Sequence, residues 1–157
     1  MVDSDVRYTV SGYIARPVHD VFEAVADPDE LSHYFTTGGA VGRLETGATV
    51  QWDFADFPGA FPVHVIEVVA DERIVLEWGG EDAIPDDEGD GTHTRVTMTF
   101  ERTDDDRTLV SITEEGWQET EAGRKASYDN CMGWTGMIAA AKVWIEHGIN
   151  LREGFYK

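Results

Sequence analysis

The chain has 157 residues, 41% of them hydrophobic, which predicts a single domain over residues 1–157; no apolar run reaches the eighteen residues that a membrane span needs. The formal net charge of −19 excludes nucleic acid and anionic membrane surfaces as natural partners, because both demand clustered Lys and Arg. Cys131 is the lone cysteine, so no internal disulfide or cysteine-based zinc site can form, and the N-terminal "MVDSDVRYTV" lacks a signal pattern, so a cytoplasmic location is expected.

In chain order, "YTVSGYIARP" (8–17) alternates with period two, placing Val10, Gly12 and Ile14 on one face of a first strand. Pro17 opens a short helix, "PVHDVFEAVAD", with Val18, Val21, Phe22 and Val25 at helical spacing. A second short helix, "PDELSHYF", follows Asp27 as its N-cap. Six strands come next: "AVGRL", "TVQWDF", "PVHVIEVV", "RIVLEW", "THTRVTMTFERT" and "TLVSITEE". Their short Gly-, Asp- and Pro-rich joins predict antiparallel hairpins, apart from one long acidic loop over 79–91. A long helix over 126–147 ends the pattern.

Strand parity names the inward residues. Val50, Trp52 and Phe54 share a face, as do Ile74, Leu76 and Trp78, then Val96, Met98 and Phe100, and finally Val110, Ile112 and Glu114. On "PVHVIEVV" both faces are apolar; with Glu67 outside, His64, Ile66 and Val68 would face inward. On the long helix Cys131, Trp134, Ile138, Ala141 and Ile145 form an inner stripe flanked by Met137 and Trp144, with Lys142 and Glu146 on the solvated side. Gly133, Gly136 and Ala140 make a separate strip of small residues, which predicts close packing against a neighbouring loop or the short helices, with room for a ligand or a dimer contact as the alternatives.

Little here supports metal, nucleotide or nucleophile chemistry. The five histidines are scattered, and His19 with Glu23 reads as a solvated helix face. Asp86, Glu88, Asp90 and Gly91 mimic the start of a calcium loop, but its twelfth position falls on Thr97 instead of a glutamate. Phosphate-loop and G-x-S-x-G signatures are absent, and Cys131 sits among apolar helix residues. No metal and no cofactor are expected. One polar pair stands out: Glu114 points into an apolar interior, and His64 would share it.

The segments "ARPVHDVFEAVADPDELSHYF", "VIEVVADERIVLEW", "RVTMTFERTDDDRTLVSITEEGW" and "NCMGWTGMIAAAKVWIEHG" together resemble the SRPBCC (START-like, birch-pollen-allergen-like) superfamily. Within it, the chain is similar to single-domain proteins related to the activator of heat-shock protein 90 ATPase. The resemblance implies an α+β helix-grip fold: a curved antiparallel sheet of about six to seven strands, two short helices and a long C-terminal helix packed across the sheet. It also implies a cavity between sheet and helix, used across the superfamily for lipids, sterols, polyketides and other apolar molecules. The residues expected to line it are Trp52, Phe54, His64, Trp78, Met98, Glu114, Trp117, Trp134, Met137 and Ile138. The leading expectation is a protein that binds a small apolar molecule without catalysis. The alternatives are a chaperone-regulating interaction module, and a polyketide cyclase-type or hydrolase-type enzyme using Glu114 and His64.

Overall fold

Period-two alternation and short joins produce seven strands: β1 (Arg7–Ile14), β2 (Gly39–Val41), β3 (Thr49–Phe54), β4 (Phe57–Val69), β5 (Arg73–Gly79), β6 (His93–Arg102) and β7 (Thr108–Glu115). All pair antiparallel in one sheet of order β1-β7-β6-β5-β4-β3-β2. From β2 to β7, neighbours in sequence are neighbours in space, as hairpins require. Helices α1 (Val18–Ala26) and α2 (Pro28–Leu31) join β1 to β2, and α3 (Glu121–His147) follows β7. This is the helix-grip arrangement. The computed structural model describes residues 4–80, 83–84 and 93–157, so most of the acidic loop, including the calcium-like positions Asp86, Glu88, Asp90 and Gly91, lies outside the described residues.

One face of the sheet carries Trp52, Val65, Ile74, Leu76, Met98 and Ile112, all buried, and Trp134, Met137, Ile138 and Ala141 of α3 join them in one cluster. At Gly12 on β1, a Cβ would lie 2.7 Å from the Ile138 Cγ2, so glycine lets α3 lie directly on the strand. The α1 stripe Val21, Phe22 and Val25 joins the same cluster. Tyr34, after α2, is fully buried and donates its hydroxyl to the Ala24 carbonyl at 2.8 Å; burial pushes its phenol above the ordinary tyrosine range.

Several boundaries differ from expectation, each for a local reason. Helix α3 begins at Glu121, not 126, because Thr120 caps it, its Oγ1 accepting from the Gly123 N–H at 3.0 Å. Asp27 does cap α2, but α2 stops at Leu31 and the chain continues in turns. Strand β4 starts at Phe57, ahead of the expected Pro62. Its pairing with β5 begins only at Val63, so Pro58 and Pro62 lie in a stretch paired on one side, where a missing N–H is tolerated.

The inward set on β4 needs correction. Val63 and Val65 are the buried residues; His64 faces the other way and reaches the Thr49 hydroxyl at 3.1 Å, and Ile66 is 41% exposed. A β-bulge between Val65 and Glu67 is the cause: one extra residue restarts the alternation, so Glu67 is outside and Val68 inside although Val63 and Val65 are inside too. Glu146 also departs from its expected solvated role. Its carboxylate is largely covered, accepting from the Ala15 N–H at 2.9 Å and pairing with Lys142.

Candidate functional site: an aromatic pocket backed by a buried carboxylate

Alternation along β7 buries Thr108, Val110, Ile112 and Glu114 in turn. The last is a carboxylate with 0% exposure. An isolated charge there would be very costly, and neighbouring side chains offset the cost with hydrogen bonds. Tyr8, opposite Glu114 on β1, donates its hydroxyl to Oε1 at 2.6 Å. Thr94 on β6 donates to Oε2 at 2.6 Å, and the Trp78 indole on β5 donates to the same oxygen at 2.8 Å. From α3, the Trp134 indole donates to Oε1 at 2.9 Å, and the Asn130 amide bridges both oxygens at 3.2 Å. Indole and amide N–H groups can only donate, so this set suits a carboxylate anion. Burial first, and then the adjacent Glu114 charge, push the Tyr8 phenol well above its usual range, which keeps the hydroxyl a donor. Trp117 stacks on the Tyr8 ring at 5.7 Å between centroids.

The two indoles that point their N–H edges at Glu114 turn their rings the other way. Trp78 and Trp134 lie 5.2 Å apart, centroid to centroid, and help line a pocket of about 390 Å³. Phe35, Phe54, Phe57 and Tyr156 bring the aromatic rings of the wall to six. Asp129, Asn130, Met132 and Gly133 form its α3 side. A Cβ on Gly133 would meet nothing within 4 Å, so this glycine leaves the wall open.

The segment after α3 closes one side. Arg152 holds the Asp56 carboxylate through Nε and Nη2, both at 3.1 Å, with side chains only 9% and 14% exposed. Its guanidinium lies 5.1 Å from the Phe54 ring centre and 4.8 Å from that of Tyr156. Tyr156 crosses α3 at Gly136, where a Cβ would stand 2.2 Å from the phenol oxygen. The strip of small helix residues therefore divides: Gly136 admits the C-terminal segment, and Gly133 faces the pocket.

Of the ten residues expected to line a cavity, the pocket draws on Phe54, Trp78 and Trp134, with Glu114 behind them. Trp52, Met98, Trp117, Met137 and Ile138 are buried and fill space. His64 lies on the opposite face of the sheet from Glu114, so the expected acid–base pair does not form. His19 pairs with Asp71 and Glu23 with Arg43, so they do not converge as ligands. No cluster of three metal-ligating side chains occurs among the described residues. Sequence reasoning missed Phe35, Phe57, Asn130, Arg152 and Tyr156. Asn130 was within reach, because it lies one turn before Trp134; Arg152 and Tyr156 sit in a segment with no periodicity to place them.

A family model described as "Activator of Hsp90 ATPase homolog 1-like protein" matches residues 15–141, most of the chain. The chain belongs to that family. Among solved structures, a Staphylococcus saprophyticus protein is 22% identical with a TM-score of 0.76, over 93% of this chain and 96% of the other. The Aha1 dimer from Colwellia psychrerythraea is 19% identical with a TM-score of 0.71, over 90% and 97%. DynU16, a protein from the dynemicin biosynthetic locus, is 22% identical with a TM-score of 0.76; 95% of this chain spans 50% of that one. At these identities the likeness is one of fold. No curated protein matches by sequence. The chain thus shares its helix-grip fold with these structures, and among the described residues no helix is long and apolar enough to cross a membrane.

Proposed function

We propose that this protein binds a small apolar molecule in the aromatic pocket at the end of the sheet, beside α3, without transforming it. The observation that carries this reading is the pocket itself. A volume of about 390 Å³ lined by six aromatic rings is within the range of small-molecule sites. The enzyme reading loses its acid–base pair, since Glu114 and His64 occupy opposite faces. Glu114 itself is enclosed by five donors and has no free lone pair for a substrate proton.

A second reading, an interaction module that regulates a chaperone, draws on the family description and on the net charge of −19, which suits a basic partner surface. Native mass spectrometry of protein purified from its own host separates the two. A co-purifying apolar molecule supports the binding reading. Its absence, together with no uptake of an apolar fluorescent probe by the purified protein, overturns it.

A further inference from the structure

Resting on that binding reading, we propose that the pocket selects an apolar organic cation of the quaternary ammonium class over a neutral molecule of the same shape. Among the described residues, Glu114 is met only by uncharged donors, whereas the other charges at the pocket are paired: Arg152 with Asp56, and Asp129 with Lys125 at 3.1 Å. One buried negative charge therefore stands behind the wall without a countercharge.

The wall transmits it. Each indole gives its N–H to Glu114 and contributes to the pocket lining, Trp78 as the more open of the two because Trp134 is 2% exposed and packs against Phe35. An indole that donates to an anion gains electron density on its ring, and a cation over the ring face is attracted both to the quadrupole and to the carboxylate beyond. The same set of rings already receives cations from within the chain. The Arg152 guanidinium packs against Phe35, Phe54 and Tyr156, and the Lys157 ammonium lies 4.6 Å from the Phe57 ring centre. Among the described residues, Trp78 and Trp134 are the pocket rings on which no such cation rests.

The hydrogen-bonding pattern narrows the class. A primary ammonium or guanidinium needs acceptors, but the Glu114 oxygens are occupied by five side chains and Asp129 is solvated beside Lys125. An anion would meet the Glu114 field and find the indole N–H groups turned away. A quaternary ammonium needs no hydrogen bond and is weakly hydrated, so it surrenders little on entering an apolar pocket.

The test uses benzyltrimethylammonium and its uncharged carbon isostere, neopentylbenzene, titrated into the full chain at low salt. Dissociation constants are read from the tryptophan indole N–H signals. The cation is expected to bind roughly tenfold tighter, and Glu114→Gln to bring the two within about threefold by weakening the cation alone. Equal binding of the pair, or preference for neopentylbenzene, overturns cation selection and leaves the apolar pocket standing. Failure of both probes to bind overturns the pocket reading as well. If Glu114→Gln keeps the full preference, the carboxylate is not its source and the proposal falls. If that variant does not fold, the wild-type pair of titrations alone decides.

Discussion

Ile112 and Glu114 are two residues apart on one strand, both with 0% exposure, and they sit in opposite kinds of interior. Ile112 pairs across the strands with Met98, and both belong to the packed cluster that includes Ile138 and Ala141 of the helix. Around Glu114 the neighbours are hydroxyls, indoles and an amide, and beyond them the interior opens into the aromatic pocket. The filled half is held by non-directional burial and tolerates approximate shapes. The carboxylate half is held by directed bonds that fix the tilt of two tryptophans, so a change there alters the pocket as well as the stability.

Four substitutions test that contrast, in falling order of effect. Glu114→Leu strands five donors at roughly 1–3 kcal/mol each, part of which water recovers; a loss on the order of 5 kcal/mol is expected in urea unfolding, with loss of the pocket. Trp134→Ala should cost about 3–5 kcal/mol and abolish uptake of an apolar probe; if it costs neither, the inner face of α3 is misassigned. Ile112→Ala should cost about 2–4 kcal/mol while leaving probe affinity within a few-fold, and a large affinity change would merge the two halves into one. The smallest effect is electrostatic. The Ala15 N–H, and then Lys142, hold the Glu146 carboxyl below the usual glutamate range. Its contribution is complete above that range and fades as the pH falls through it. Glu146→Gln should therefore lower the melting temperature slightly at pH 7, and the gap to the wild type should close as the pH falls below about pH 4.5.

The difference between the two halves also explains what was legible in the sequence. Parity and helical spacing identified the filled half: Trp52, Leu76, Met98 and Ile112 from the strands, Ile138 and Ala141 from the helix. The same parity, carried two residues back along β6 and β1, would have found Thr94 and Tyr8 as partners for Glu114. His64 escaped because a bulge has no reliable signature in a strand that is apolar on both faces. Phe57 and Arg152 escaped because an irregular turn and tail place them, through an ion pair with Asp56 and contacts with rings far away in the chain.

That bulge also bears on how the chain tolerates changes of length. Two residues of β4, Val65 and Glu67, meet consecutive partners on β5, Leu76 and Val75, which leaves Ile66 as the surplus residue. Deleting Ile66 would restore plain alternation with Val63, Val65 and Val68 still facing the helix. Deleting Ser111 from β7 instead, a strand paired without a bulge on both sides, would move residues on one side of the gap to the wrong face. Of two variants each one residue shorter, the one lacking Ile66 should melt at the higher temperature. In the vocabulary of descent, position 66 is where this strand can gain or lose a residue and remain the same strand.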